Sequence, residues 1–215
     1  MRLRILTTAL AATLAVAGLA GCRTNVGVAA RVGGERITES DVNGYVTPTG
    51  VPASVAAQQK AANQTAPSPR SQALQYLIQE KIFEQTLAYV GVRPTAGELA
   101  AAHDPAAQLL LSQVQLTGAA LDNALRKQVP NAGLRPKFVA TFLRVQELEY
   151  ILIQKRQLKQ LSELLALVKK AKITVSVSQR YGTWSPSSLS LDGKPVIPSY
   201  LSVQPLPGAQ PQPAG

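Results

Sequence analysis

The spacing of apolar and polar residues predicts a mainly helical domain framed by short strands. Residues 28–37 alternate in two short strands around Gly33 and Gly34, and paired glycines accept the positive φ angles of a tight hairpin turn. Thr38 and Asp41 have the spacing of a capping box, which predicts a short helix over residues 39–45. Near the other end, residues 173–177 alternate Ile and Val with Thr and Ser, the pattern of a strand.

Helical periodicity fills most of the interval between these strands. It predicts helices over residues 71–90, from Thr95 with a capping box closed by Glu98, over 106–116, over 119–129 and over 136–171. The last is the longest, and we expect it to pack along much of the domain through a seam formed by Leu148, Ile151, Leu158, Leu161, Leu165 and Val168.

Two segments lack such a pattern. Residues 47–70 contain four prolines with Ala, Gln, Ser and Thr and show no sustained apolar period, which predicts a mobile loop. Residues 192–215 are rich in Pro, Ser and Gly and are predicted to form a disordered tail. The folded domain is therefore expected to span residues 28–191.

The N-terminus has the layout of an export signal. Arg2 and Arg4 precede an uncharged run over residues 5–17, too short to span a bilayer comfortably, and residues 19–22 read Leu-Ala-Gly-Cys. This ending resembles the bacterial lipobox, which implies a signal peptide over residues 1–21 and a diacylglycerol thioether on Cys22. Residues 22–27 would then be a lipidated tether that holds the chain on the extracytoplasmic face of a cell membrane. The alternative is an ordinary signal peptide in which the cysteine is incidental.

Composition adds two constraints. Cys22 is the only cysteine, so the fold must rest on packing without an internal disulfide. The net charge is +10 and falls to +8 without the two arginines of the signal peptide. Outside the cell this basic balance favours attraction to membrane headgroups or cell-wall polymers, and nucleic acid is not expected as a partner.

Little in the sequence points to catalysis. The only histidine, His103, precedes Asp104 and Pro105 at an expected helix end, where a solvent-facing or capping imidazole is the simpler interpretation than a catalytic base. The chain has no second histidine, and its one thiol would carry the lipid, so we expect no metal site and no cofactor. The chain is therefore predicted not to be an enzyme.

Aromatic and basic residues offer two possible binding features. Tyr181 and Trp184 follow the last predicted strand and could hold an extended peptide at a sheet edge, or they could close the helical core. Phe83, Phe138 and Phe142 have the helical spacing of core residues. Between residues 135 and 172 nine basic and three acidic residues are interpreted mainly as a solvated helix face.

The order of these motifs resembles the N-terminal chaperone module of SurA-type proteins, related in fold to parts of trigger factor and PrsA. The resemblance covers most of residues 28–191. It rests on Val-Gly-Gly-Glu-Arg-Ile-Thr-Glu-Ser-Asp-Val at 32–42, Leu-Ile-Gln-Glu-Lys-Ile at 77–82 and Gly-Val-Arg-Pro-Thr-Ala-Gly-Glu at 91–98. The ending Arg-Tyr-Gly-Thr-Trp at 180–184 is similar to that of actinobacterial lipoproteins of this type.

The resemblance implies a mainly α fold with a small β element, in which the N-terminal hairpin pairs with a C-terminal strand. It implies a chaperone, or a chaperone-like binder of unfolded exported polypeptides. Many relatives carry a parvulin-type prolyl isomerase domain, but no segment here has that composition, so isomerase activity is not expected. The alternative function is an envelope scaffold that binds one protein or cell-wall polymer through its basic helix and loop.

Overall fold

The computed structural model describes residues 27–62, 67–110 and 116–191. Within them, helices carry most of the chain and two small antiparallel sheets complete the fold, which confirms the predicted fold class. The elements are β1 (Val28–Val32), β2 (Glu35–Thr38), α1 (Glu39–Tyr45), α2 (Ala53–Ala61), α3 (Pro69–Tyr89), α4 (Ala96–Leu110), α5 (Gly118–Gln128), α6 (Phe138–Arg156), α7 (Leu161–Lys170), β3 (Val175–Val177), β4 (Trp184–Ser185) and β5 (Ser190–Leu191).

The main sheet joins the two ends of the domain. β1 and β2 form the predicted hairpin, with Gly33 at φ 53° and Gly34 at φ 92° in its turn. β3 pairs antiparallel with the other side of β1, so the strand order is β2-β1-β3. The predicted pairing of the N-terminal hairpin with a C-terminal strand is therefore confirmed.

The hairpin leads directly into α1 through the capping box that the sequence predicts. The Asp41 backbone N–H donates to Thr38 Oγ1 at 3.1 Å, and the Thr38 backbone N–H donates to Asp41 Oδ2 at 2.7 Å. These bonds satisfy donors that the first turn of a helix leaves without intrahelical partners. They fix the angle at which α1 leaves the sheet.

An aromatic cluster links α3 to α6 at the centre of the core. Tyr76 meets Phe138 edge-on with ring centroids 5.3 Å apart and meets Phe142 at 5.4 Å. Phe83 is also buried, so the prediction that the three phenylalanines are core residues is confirmed. Such ring pairs stabilise a core by about 0.5–1.5 kcal/mol each beyond the burial of their area.

The prediction of a loop over residues 47–70 is wrong for residues 53–61, which form α2. None of the α2 residues is buried, so the helix has no apolar stripe that periodicity could reveal. Its sequence Ala-Ser-Val-Ala-Ala-Gln-Gln-Lys-Ala is instead rich in residues with high intrinsic helix propensity.

The single helix predicted over residues 136–171 is in fact two helices, α6 and α7. α6 ends at Arg156. The next residue, Gln157, has a left-handed backbone with φ 51°, and the Leu158 N–H donates to the Ile153 carbonyl at 3.0 Å. This hydrogen bond is typical of a Schellman motif at a helix C-terminus. The left-handed residue of that motif is usually glycine. The chain turns there, and α7 packs back onto α3.

The helix that begins after Thr95 extends further than predicted. α4 continues through Pro105 to Leu110, although proline removes one intrahelical hydrogen bond. α4 packs along α6. Lys155 Nζ on α6 lies 2.6 Å from the Oε1 of Glu98, which is in the first turn of α4. The prediction that His103 lies at a helix end is therefore wrong.

Three sequence predictions concern parts of the chain outside the described residues. These are the signal peptide over 1–21, the tether over 22–27 as far as residue 26, including Cys22, and the disordered tail over 192–215. Within the described ranges, no helix combines the length and apolarity needed to cross a membrane.

Candidate binding groove

A half-open groove of about 480 Å³ lies between α7, β3 and the β4–β5 hairpin. Nine of its thirteen lining residues are apolar, and its volume falls within the range of about 300–1,000 Å³ typical of ligand pockets. The lining residues are Ile82, Ser162, Leu165, Ala166, Val168, Lys169, Lys172, Ile173, Val175, Trp184, Pro186, Ser187 and Leu189.

α7 provides one wall because its side chains divide between the core and the groove. Leu164 and Val168 are buried, and Val168 also lines the groove. Ser162, Leu165, Ala166 and Lys169 all line the groove, and their spacing of three and four residues places them on one helix face. Most of this face is left uncovered, since Ser162, Ala166 and Lys169 are exposed and Leu165 is only half-buried.

The second wall belongs to β3 and the residues that lead into it. Val175 and Ile173 both line the groove. The Gly33 N–H donates to the Thr174 carbonyl at 2.8 Å and the Ser178 N–H donates to the Ala29 carbonyl at 2.9 Å, so alternate residues of this segment face β1. The backbone N–H and C=O groups of Val175 and Val177, which lie between those residues, consequently point to the outer edge of the sheet.

The third wall is the β4–β5 hairpin, which α3 holds in place. Gln79 Nε2 donates to the Leu189 carbonyl at 2.7 Å, and Gln75 Oε1 accepts from the Leu191 N–H at 3.2 Å. Leu189 and Leu191 are themselves buried in the core. These contacts fix the wall opposite α7, so the groove is formed by packed elements.

The two aromatic residues singled out from the sequence have different surroundings. Tyr181 is 4% exposed, and its hydroxyl donates to Glu39 Oε2 at 2.6 Å. Burial, followed by this hydrogen bond, raises the pKa of Tyr181 to about 12. Trp184 is half-buried and lines the groove. Tyr181 therefore closes the core, and the prediction of peptide binding remains for Trp184.

The charges at the groove have one sign. Lys169 and Lys172 line it, and none of the thirteen lining residues is acidic. The nearest acid along α7, Glu163, accepts a hydrogen bond from the Lys159 backbone N–H at 2.6 Å and so serves as a cap at the start of the helix. An apolar surface bordered by two cations is the result.

The sequence suggests that the basic residues of the C-terminal helices form a solvated face. In the structure this holds for only some of them. Arg144 lies 3.7 Å from Glu84 and Lys155 lies 2.6 Å from Glu98, so these two link α6 to α3 and to α4. Lys169 and Lys172 instead border the groove. The sequence could not separate these roles because the helix break near Gln157 is not visible in the apolar spacing.

A polar cluster that the sequence does not predict surrounds His103 between α4, α5 and α6. Its Nδ1 lies 2.9 Å from Glu147 Oε1 and its Nε2 lies 3.2 Å from Asp122 Oδ1. Asp104 Oδ1 in turn accepts from the Gly118 N–H at 2.7 Å and caps α5. Asp104, Asp122 and Glu147 lie far apart in the sequence, so no local motif predicts the cluster.

The cluster makes the charge of His103 sensitive to pH. Partial burial lowers the pKa of His103, but the hydrogen bond to Glu147 and the charges of Asp122, Glu147 and Asp104 outweigh burial and raise it above its usual value. A raised pKa in the folded state means that the protonated imidazole stabilises the fold. This stabilisation is fully present below the unfolded pKa of about 6.5 and is lost as pH rises through the folded pKa.

Neither the groove nor the His103 cluster provides a metal site. Within the described ranges, no group of three or more His, Cys, Asp or Glu side chains is arranged to hold a metal ion.

Comparisons with protein-family models, with curated proteins and with solved structures found no match to this chain. The groove and the His103 cluster are therefore interpreted from their own chemistry, and the SurA-type resemblance stays a prediction.

Proposed function

We propose that this chain is a membrane-anchored, extracytoplasmic lipoprotein that binds unfolded segments of exported proteins as a chaperone. The observation that supports this most is the apolar groove between α7, β3 and the β4–β5 hairpin. Concave, mostly apolar sites that carry a few polar side chains are the usual form of ligand-binding sites in proteins. A surface with many weak apolar contacts binds with little sequence preference, which a chaperone requires.

The edge strand beside the groove favours an extended polypeptide as the ligand. β3 is the last strand of its sheet within the described structure, and Val175 contributes a side chain to the groove wall. A peptide that lies along such an edge gains main-chain hydrogen bonds that do not depend on its sequence. Apolar side chains of the peptide can then enter the groove.

The proposed anchor on Cys22 would keep this domain close to the membrane. β1 begins at Val28, and the six residues of the tether can reach at most about 20 Å. A domain held so near the membrane surface is placed where exported segments emerge. The short tether thus fits a role in capture rather than in long-range transport.

The His103 cluster does not favour an enzyme. Both ring nitrogens of His103 face carboxylates, at 2.9 Å and 3.2 Å, which leaves neither nitrogen directed at a nucleophile. The imidazole instead links α4 to α5 and α6. Binding without catalysis is accordingly the function that we propose.

Aggregation of several unrelated denatured proteins, followed by light scattering, tests the proposal. The chain from residue 23 onward should suppress it, and Ala166→Glu should abolish most of the effect because it places a charged side chain in the apolar groove. Leu161→Glu is the matched control: it adds the same charge to the same helix at a side chain that is 64% exposed and outside the groove.

Two results would contradict the proposal. The first is equal suppression by both variants, which would place client binding elsewhere. The second is the absence of any suppression together with saturable binding to a single envelope protein or cell-wall polymer. That second result would support the alternative function as a scaffold.

A further inference from the structure

The charges beside the groove suggest which unfolded segments it takes. Lys169 lies in the last turn of α7, one turn after Leu165 and Ala166 on the same face. Lys172 follows at the turn into β3, with a left-handed backbone of φ 52°. Both lysines therefore border the end of the groove where the helix meets the strand, and both are exposed.

No carboxylate in the described structure neutralises these two lysines. Within residues 27–62, 67–110 and 116–191, neither lies within 4.0 Å of an acidic side chain, whereas Lys81 and Lys155 each form ion pairs. Glu163, the acid on the same helix, is engaged in capping the α7 N-terminus. Among the described residues that line the groove, a bound carboxylate would meet two cations and no acidic side chain.

We propose that the groove preferentially binds extended polypeptide segments in which an acidic side chain lies one or two residues from a large apolar side chain. The apolar side chain enters the groove near Leu165 and Trp184, and the carboxylate pairs with Lys169 or Lys172. The edge of β3 favours an extended peptide over a lipid, because it offers peptide groups in addition to apolar contacts. This inference rests on the proposed function and specifies its client class.

The chain contains its own reporter for the test. Trp184 is the only tryptophan and lines the groove, so its fluorescence responds to occupancy of that site. Three tryptophan-free peptides with identical Leu, Val and Phe residues would be titrated into the chain from residue 23 onward. They differ only in flanking residues, which are Glu, Gln or Lys.

The Glu peptide should bind about 3- to 10-fold more tightly than the Gln peptide, as expected for pairing with one or two exposed lysines, and the Lys peptide should bind more weakly than both. The advantage of the Glu peptide should shrink in about 0.5 M salt because the pairs are exposed.

A matched pair of double variants locates the effect. Lys169→Gln with Lys172→Gln should abolish the preference for the Glu peptide while leaving binding of the Gln peptide unchanged. Lys159→Gln with Lys170→Gln removes the same charge from the neighbouring surface outside the groove and should leave the preference intact.

The possible failures are distinguishable. Equal binding of the three peptides, or an equal loss of preference in both double variants, would overturn the acidic preference and leave the chaperone proposal standing. If none of the peptides changes Trp184 fluorescence, both proposals fail. A response to palmitate but to none of the peptides would also overturn both and identify the groove as a lipid site.

Discussion

Removing one hydroxyl group tests how the C-terminal segment is held on the N-terminal part of the fold. Tyr181→Phe deletes the hydrogen bond from the Tyr181 hydroxyl to Glu39 Oε2, a contact of 2.6 Å between residues 142 positions apart. The ring stays in place, so the loss is confined to the polar contact. Glu39 lies at the start of α1, and its other oxygen lies 3.3 Å from Arg180 Nη1.

The magnitude follows from the charge of the acceptor. A hydrogen bond to a charged group contributes about 1.5–3 kcal/mol. The Glu39 side chain is 16% exposed and keeps Arg180 as a partner, so water and that ion pair offset part of the loss. We therefore expect Tyr181→Phe to lower the free energy of unfolding by about 1–2 kcal/mol.

Urea unfolding followed by circular dichroism at 222 nm measures this difference. Tyr89→Phe is the control, because Tyr89 is 58% exposed at the end of α3, and it should change the free energy of unfolding by less than about 0.5 kcal/mol. If Tyr181→Phe were as stable as Tyr89→Phe, the proposed role of the hydroxyl in holding the C-terminal segment on α1 would be refuted.

Three further outcomes are expected. Cys22→Ala should abolish incorporation of a labelled fatty acid, and label retained in the variant would contradict the lipid anchor. Wild-type stability should fall as pH rises from about 6.5 through the raised pKa of His103, whereas His103→Gln should show a flatter profile in urea unfolding; parallel profiles would contradict a stabilising role for protonated His103. Ending the chain after Ala171 should lower the melting temperature by more than about 5 °C, and ending it after Ser199 should not; equal melting temperatures would refute the coupling of the two chain ends.

The features that the sequence predicts well depend on local chemistry. Gly33 and Gly34 specify the hairpin turn because few other residues accept its backbone angles, and Thr38 with Asp41 specifies the start of α1. The pairing of β3 with β1 is also anticipated, since an isolated hairpin needs a further strand or a helix to cover its apolar side.

The groove could not be predicted because it depends on a helix break with no usual sequence signal. Gln157 takes a left-handed conformation that disfavours residues other than glycine by about 1–2 kcal/mol. Leu158 offsets this by packing against the core just after the turn, as apolar residues often do at Schellman endings. An unbroken helix over residues 136–171 would carry α7 away from β3, and no groove would exist.

The acids around His103 illustrate a second limit. Asp122 lies on α5 and Glu147 on α6, and each looks like a single solvated acid in the sequence. Only the packing of α4 and α5 against α6 brings them to the imidazole. α2 was missed for the opposite reason, since it forms by intrinsic propensity and has no buried residue.

The most direct test of the central claim is to map where an unfolded polypeptide contacts the chain. Backbone amide chemical shifts of the chain from residue 23 onward would be followed by NMR during titration with a permanently unfolded, tryptophan-free protein. Binding in the groove predicts progressive shifts at residues 162–175 and 184–189, which Ala166→Glu should suppress. Shifts confined to α4 and α5, or no shifts under conditions in which the chain suppresses aggregation of the client, would contradict the claim that this groove binds clients.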